Sequence, residues 1–170
     1  MMVIRKHARQ ERLEAQILAW LEDVADPEIP VLSVVDLGIV RGVHAGADGI
    51  EIEVTPTYSG CPATDVIEQS IVDALEERGL NSIRVRRCLS PPWTTDWISA
   101  AGRAKLAAYG IAPPDRSADK RSLSGDAPRV SCPRCASGNT ALVSQFGSTP
   151  CKAAYRCASC LEPFEYFKCL

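Results

Sequence analysis

Two cysteine pairs of identical spacing, Cys132-Pro-Arg-Cys135 and Cys157-Ala-Ser-Cys160, lie in the last 40 residues of the chain. Twenty-one residues separate the two pairs. Two C-x-x-C knuckles at this separation are typical of a tetrahedral metal site with four thiolate ligands. A segment this short buries too little apolar surface to fold alone, and it needs a metal, disulfides or a partner. The spacing therefore predicts a small separate domain, residues 130–170, that is held together by a metal ion.

The four knuckle cysteines favour zinc, because a closed cage of four thiolates binds zinc as a structural ion. A single iron ion in the same cage is the alternative, and it would make the site redox-active. Two further thiols, Cys151 and Cys169, are interpreted as ordinary cysteines, with a disulfide between them or a second sulfur site as the alternatives. The aromatic residues of the tail are expected to pack against the knuckles: Phe164, Tyr166 and Phe167.

The composition limits the classes of partner. The chain has 170 residues, a net charge of -2 and a pI of about 5.7, so it carries no large positive field for a nucleic acid. Polar residues interrupt the apolar residues that follow the basic start at residues 5–9. We therefore expect no signal peptide and no membrane-spanning segment. Eight cysteines without an export signal predict a cytoplasmic protein with reduced thiols. Homo-oligomerisation is left open.

The first part of the chain, residues 1–112, reads as an α+β domain with a three-stranded sheet and packed helices. Helices are predicted over residues 9–24, from Cys61-Pro62 to about Arg78, and over residues 96–109. The run at residues 34–40 is predicted to lead into a strand that forms a hairpin with the strand at residues 50–54, with Gly46 and Asp48-Gly49 at the turn, and a third strand is predicted over residues 81–87. Residues 113–129 are polar and nearly free of apolar side chains, which is typical of a linker.

Two residues of this domain are candidates for chemistry. Cys61 precedes Pro62 at the predicted start of a helix, where free backbone N–H groups and the helix dipole favour a thiolate. Asp36 lies in an apolar run, where packing does not require a carboxylate. The structural alternatives are a small buried thiol in the strand–helix corner for Cys61 and a turn acceptor for Asp36. Cys88 is interpreted as a core or strand-end residue.

Several motifs resemble the iron–sulfur cluster assembly domain family. They are Asp26-Pro-Glu-Ile-Pro30, the run from Val34 to Val40 that contains Asp36, and Thr55-Pro-Thr-Tyr-Ser-Gly-Cys-Pro62. The later stretches Pro91-Pro-Trp-Thr-Thr-Asp-Trp-Ile98, Phe146-Gly-Ser-Thr149 with Cys151-Lys152, and Phe164-Glu-Tyr-Phe-Lys-Cys169 are similar to the PaaD family of phenylacetyl-CoA epoxidase subunits. This resemblance covers nearly the whole chain.

The resemblance implies a non-catalytic accessory subunit in aerobic phenylacetate degradation. Its partners would be the di-iron oxygenase subunit, which epoxidises the aromatic ring of the CoA thioester, and the reductase, which carries flavin and an iron–sulfur cluster. The subunit would help to mature or insert their metal centres. Cys61 and Asp36 match the signature positions of the assembly family, which implies that Cys61 holds iron or a cluster transiently and that Asp36 orients or co-ligates it.

Two other classes of function compete with this interpretation. The first is a thiol or iron redox protein, which would need a resolving cysteine near Cys61 or a redox iron in the tail. The second is a zinc-ribbon module that binds nucleic acid, and the acidic charge balance argues against it.

Overall fold

The chain folds into two compact units that divide between Trp93 and Thr94. The computed structural model describes residues 2–46, 48–58, 60–114 and 130–168, and within these ranges the side chains from residue 7 onward. The first unit contains a three-stranded sheet with helices, and the second contains a four-stranded sheet and the four knuckle cysteines. The predicted α+β class with a carboxyl-terminal ribbon is therefore confirmed. Among the described residues, no helix is both long and apolar enough to cross a membrane.

The first unit has a mixed sheet in which one strand lies between the other two. Its elements are α1 (Met2–Leu21), β1 (Val40–Gly46), β2 (Gly49–Val54), α2 (Thr64–Glu76) and β3 (Ile83–Arg87). The central strand β2 pairs antiparallel with β1 and parallel with β3. The predicted hairpin and third strand are thus confirmed, and β1 begins at the end of the 34–40 run, because residues 34–38 form a turn. Helix α2 forms the crossover between the two parallel strands.

Alternating and helical hydrophobic patterns build the core of this unit. Strand β2 buries every second side chain and leaves Glu51 and Glu53 half-exposed, as a sheet covered on one face requires. Helices α1 and α2 contribute apolar residues one or two turns apart. The fully buried side chains from these elements are Ile17, Leu21, Ile52, Ile71 and Leu75.

Two helices differ from the sequence prediction at their ends. Helix α1 begins at Met2 and ends at Leu21, whereas residues 9–24 were predicted. Helix α2 begins at Thr64, so the prediction that Cys61 and Pro62 begin it is wrong. A residue that precedes proline is driven away from helical backbone angles, and Cys61 is such a residue. It lies instead in a turn in which its carbonyl accepts the N–H of Thr64 at 3.3 Å.

The second unit combines a helix with a meander of short strands. Its elements are a 3-10 turn (Thr95–Trp97), α3 (Ala100–Tyr109), β4 (Ile111–Ala112), β5 (Thr140–Ser144), β6 (Lys152–Cys157) and β7 (Pro163–Phe167). The helix predicted over residues 96–109 is divided at Ser99, whose Oγ accepts the N–H of Gly102 at 2.8 Å and caps α3. Gly110 ends α3 in the left-handed conformation, with φ 94°.

The four-stranded sheet has the order β4-β7-β6-β5, and β4 pairs parallel with β7. Ile111 lies opposite Glu165 and Ala112 lies opposite Tyr166. The contacts therefore group residues from Thr94 onward with the cysteine-rich unit, whereas the sequence placed the end of the first domain at residue 112. The linker prediction rests on residues 113–129, of which 115–129 lie outside the described residues.

A small aromatic core supports the knuckles, as the sequence predicted for Phe164 and Tyr166, whereas Phe167 is buried outside this cluster. The ring of Tyr155 stacks on Phe164 with 5.8 Å between ring centroids and meets Tyr166 edge-on at 5.7 Å. These rings belong to one buried cluster with Cys132 and Cys157. The cluster is small, which fits a unit that depends on a metal for part of its stability.

Candidate functional site

The segments that carry the candidate residues of the first unit adjoin one edge of the three-stranded sheet, the edge formed by the carboxyl ends of β2 and β3. The parallel pairing of β2 and β3 brings their carboxyl ends together, and Val54 lies opposite both Val40 and Arg87. Backbone bonds extend this edge by one residue. The N–H of Thr55 donates to the carbonyl of Ile39 and that of Cys88 to the carbonyl of Val54, both at 2.8 Å. The Asp36 turn precedes β1, the Cys61 loop follows β2, and Cys88 follows β3 at this edge.

Asp36 is buried in a turn that its own carboxylate holds closed. The backbone N–H of Ser33 donates to Asp36 Oδ2 at 3.2 Å, and the backbone N–H of Asp36 donates to Ser33 Oγ at 2.9 Å. This reciprocal pair has the hydrogen bonds of a capping box, but it closes a turn rather than a helix, and its S-x-x-D pattern is visible in the sequence. The structure thus supports the turn-acceptor role for Asp36, and its role towards a metal stays a prediction.

Trp93 supports the same turn from a distant part of the chain. Its ring is buried, and its Nε1–H donates to the carbonyl of Leu37 at 2.9 Å. No local sequence pattern indicates this bond, because its two partners lie 56 residues apart. The turn that carries Asp36 is therefore fixed from two sides.

Cys61 has a partly exposed thiol in a tight turn. Its N–H donates to the carbonyl of Tyr58 at 3.1 Å, and its carbonyl accepts the hydroxyl of Thr64 at 2.9 Å. The backbone at Cys61 is thus fixed by hydrogen bonds, and the residue is only partly buried. The prediction that Cys61 is a small buried filler does not describe this placement. That Cys61 and Asp36 act on one metal stays a prediction.

Arg87 ties the end of β3 to the first turns of α2. Its guanidinium forms ion pairs with Asp65 and with Glu68, including a bond from Nη2 to Glu68 Oε2 at 2.9 Å. The hydrogen bond to Glu68 is the main cause that raises the pKa of Arg87 above its ordinary value. This clamp holds the partly exposed Cys88 and the start of α2 at the same edge of the sheet.

The four knuckle cysteines form a cage of sulfur atoms in the second unit. All four Sγ atoms lie within 4.8 Å of one another. The distance is 3.7 Å from Cys132 Sγ to Cys160 Sγ and 3.6 Å from Cys135 Sγ to Cys157 Sγ, and the four thiols are free. A Zn–S bond of about 2.3 Å gives about 3.8 Å between sulfur atoms of a tetrahedron. The cage therefore fits a four-coordinate metal ion.

Backbone and thiol neighbours make the sulfur atoms of the cage unequal. The backbone N–H groups of Cys160 and Ser159 point at Cys157 Sγ, each at 3.4 Å, and the pKa of Cys157 is lowered to about 6. The pKa of Cys160 is raised to about 12, because burial and the neighbouring thiols outweigh the hydrogen bond from the backbone of Glu162. One thiolate is thus favoured at neutral pH, and a divalent cation is needed to hold four.

Of the two extra thiols, the structure describes Cys151 but not Cys169. Cys151 is buried, and its Sγ lies 3.0 Å from Thr149 Oγ1, which fits the interpretation as an ordinary buried cysteine. Cys169 lies outside the described residues. A second sulfur site that includes both thiols stays a prediction.

The fold defines a class of protein in which an α+β unit is followed by a ribbon with a four-cysteine cage. Family models agree with this division. The model described as "Iron-sulfur cluster assembly protein" matches residues 14–85, and the model described as "PaaD zinc beta ribbon domain" matches residues 116–168. Both resemblances given by the sequence motifs are confirmed.

Similar proteins identify the family within this class. An Escherichia coli K12 protein, named as a putative component of 1,2-phenylacetyl-CoA epoxidase, is 50% identical over 91% of this chain and 92% of its own length. The chain belongs to the PaaD family. An Fe–S protein maturation auxiliary factor of Porphyromonas gingivalis is 35% identical over 55% of this chain and 90% of its own length.

A solved structure resembles the first part of the fold. The crystal structure of a domain of unknown function, DUF59, from Bacillus anthracis superposes with a TM-score of 0.56 and 31% identity. It covers 59% of this chain and 96% of that chain. This likeness supports the α+β architecture on which the Asp36 and Cys61 loops are placed.

Proposed function

We propose that the chain is a non-catalytic accessory subunit that helps to mature or insert iron or iron–sulfur centres in the oxygenase and reductase of a phenylacetyl-CoA epoxidase system. Its membership of the PaaD family and its likeness to Fe–S maturation factors support this role. The observation that carries the proposal is that Cys61 and the four cage cysteines lie in different units of the chain. A partly buried cysteine, Cys61, lies in the loop between β2 and α2 in one unit, and a four-thiol cage lies in the other.

The two sites have different roles in this proposal. In the cage, Cys132, Cys135, Cys157 and Cys160 hold zinc, which stabilises the ribbon and takes no part in transfer. At the sheet edge, iron or a cluster is cargo rather than a resident cofactor. The thiolate of Cys61 binds the cargo, and Asp36 orients or co-ligates it. A partly buried cysteine suits this task, because a partner must reach the bound iron.

The test is a comparison of Cys61→Ser with the wild-type chain, each co-expressed with the oxygenase and reductase subunits. We expect Cys61→Ser to fold and keep its zinc, while the iron content and the epoxidase activity of the partners fall at least about tenfold, because loss of a ligand should cost no less than loss of a residue that only supports a ligand. Circular dichroism and elemental analysis give the folding and metal readouts. Unchanged iron content and activity in the partners would show that Cys61 does not handle iron.

Cys88→Ser is the matched variant, because Cys88 is a second partly exposed thiol at the same sheet edge. It also tests a dithiol role, in which Cys61 and Cys88 lose two protons and two electrons, form a disulfide and reduce a partner disulfide to two thiols. Iron handling by Cys61 predicts that Cys88→Ser keeps full activity. An equal loss in both variants, with a Cys61–Cys88 disulfide found by mass spectrometry, would favour the dithiol role.

A further inference from the structure

Three large apolar side chains lie exposed within five consecutive residues of the ribbon. Leu142 is 50% exposed, Val143 is 67% exposed and Phe146 is 69% exposed. Scattered apolar residues are normal on a protein surface, whereas a contiguous group indicates a contact surface. We propose that these three side chains, the ribbon patch, dock into an apolar pocket of a partner protein and that carboxylates line the rim of this pocket.

A β-bulge produces the patch. Leu142 lies opposite Tyr155 and Ser144 lies opposite Ala154, so Val143 is an extra residue in β5. A bulge turns side chains away from strict alternation, and β5 exposes three consecutive residues, Ala141, Leu142 and Val143. It also interrupts an edge strand as a template for a further strand. The partner therefore contacts the side chains of the patch rather than extending the sheet.

Local contacts hold the aromatic anchor of the patch in place. Lys168 Nζ lies 4.9 Å from the centroid of the Phe146 ring and donates to the carbonyl of Gln145 at 3.0 Å. The N–H of Phe146 donates to Ser144 Oγ at 3.1 Å. A rigid aromatic side chain loses little conformational entropy on binding, so such residues form strong anchors in interfaces.

A buried ion pair beneath the patch fixes its loop. Lys152 is 4% exposed, and its Nζ lies 3.0 Å from Glu165 Oε2. The carboxylate of Glu165 also accepts the N–H of Ser148 at 2.5 Å and its hydroxyl at 3.1 Å. At Gly147 an added Cβ would lie 2.6 Å from Glu165 Oε1 and 3.1 Å from Lys152 Cβ, so the loop packs tightly on this pair. The loop is thus preorganised.

The charge around the patch selects the partner. Lys152 neutralises Glu165, and the ammonium group of Lys168 lies against the apolar surface. A pocket with carboxylates at its rim complements this arrangement. A second copy of the chain does not, because a two-fold contact of the patch with itself would bring two Lys168 side chains together. The occupant is therefore a different protein.

The test measures binding of the full-length chain to the purified oxygenase and reductase subunits by biolayer interferometry. This choice of partners rests on the proposed function. We expect Val143→Ser combined with Phe146→Ser to weaken binding to at least one of them about 30-fold or more, the loss typical of hot-spot residues. Lys168→Glu weakens it about tenfold, and Lys168→Arg binds like the wild-type chain.

Leu161→Asn is the control. Leu161 is 62% exposed in the ribbon, lies in the β6–β7 connection at the opposite end of the meander, and has a φ of 65° that asparagine adopts readily. Circular dichroism and zinc content show that each variant is folded. Equal binding by wild-type and patch variants, or no binding of the wild-type chain to either partner, would overturn the proposal.

Two results separate this proposal from the proposed function. If patch variants bind normally while Cys61→Ser lowers iron loading, the docking surface is refuted and the iron role stands. If patch variants lose binding while Cys61→Ser loads iron normally, docking stands and the role of Cys61 is refuted. A wild-type dimer that patch variants convert to a monomer in sedimentation velocity would assign the patch to self-association and overturn docking to another protein.

Discussion

At the residue scale, Gly49 shows how one position fixes the hairpin of the first unit. Its φ is 128°, a backbone angle that side chains rarely adopt, and an added Cβ would lie 2.3 Å from the carbonyl oxygen of Ser82. That same carbonyl accepts the N–H of Ile50 at 3.0 Å and links β2 to the residue before β3. A side chain at residue 49 would therefore disturb both the turn and the parallel pairing.

We expect Gly49→Ala to lower the free energy of unfolding of the first unit by about 3 kcal/mol, because backbone strain and a steric clash add. Gly46→Ala is the matched control in the same hairpin, where an added Cβ meets its nearest atom at 3.9 Å. It is expected to change the free energy by about 0.5 kcal/mol or less. Chemical denaturation followed by tryptophan fluorescence gives both values, and equal stability of the two variants would contradict this account.

Helix α1 protects the edge of the sheet at the scale of elements. Strand β1 lies at one side of the three-stranded sheet, where its outward N–H groups lack a neighbouring strand. Glu14 of α1 accepts the N–H of Ala45 at 3.0 Å. This hydrogen bond is the main reason that the pKa of Glu14 lies below its ordinary value. The carboxylate of Glu14 thus accepts a backbone hydrogen bond that a neighbouring strand would otherwise accept.

Glu14→Ala is expected to cost about 1 kcal/mol at neutral pH, the usual contribution of such a hydrogen bond. The folded-state pKa of Glu14 is depressed, so its contribution is present above the ordinary carboxyl pKa and is lost as the pH falls through the folded-state value. The stability difference from wild type should therefore shrink in acid. Hydrogen exchange of the Ala45 amide checks the result, with Glu11→Ala, an exposed site on the same helix, as the control.

Elements with local signals were predictable, and elements that depend on distant partners were not. The alternation of residues 50–54 indicated β2, and the apolar spacing indicated α2, because these patterns are set within a few residues. Strand β4 has only two residues and depends on its pairing with β7, a strand that follows both cysteine knuckles in the sequence. The start of α2 was misplaced, because the effect of Pro62 on Cys61 opposed the expected helix.

The candidate site was predictable only in part for the same reason. The residue types Asp36, Cys61 and the knuckle cysteines were identified from motifs. The shared sheet edge follows from the parallel pairing of β2 and β3, which no local pattern encodes. The ion pairs of Arg87 with α2 and the bond from Trp93 to the Asp36 turn are long-range contacts of this kind. A capping-box search would have found the partner of Asp36.

At the scale of the whole molecule, the two units should respond differently to the removal of zinc. The ribbon core is small and includes two of the cage cysteines, whereas the first unit has its own aliphatic core. We expect a chelator or Cys157→Ser to abolish the near-ultraviolet signal of the Tyr155 cluster while β2 keeps its protection against hydrogen exchange. Elemental analysis should give one zinc per chain, and Cys88→Ser should keep it.

Acid should release the same zinc, because each ligand thiolate binds a proton as the pH falls. Titration with a colorimetric zinc indicator follows the release. A zinc-free chain that keeps the near-ultraviolet signal, or purified protein with a visible absorption band from iron, would contradict the assignment of a structural zinc.

The parallel pair between β4 and β7 has a practical consequence for dissection of the chain. A fragment that begins at residue 130 would lack β4. Strand β7 would then become an exposed edge strand, which promotes aggregation. A protease cut between Ala112 and Val130 would break the chain but not this pairing. The two products should therefore co-elute in size-exclusion chromatography. Any excised ribbon should therefore begin at Thr94, where the contacts divide, rather than after the polar stretch that resembles a boundary.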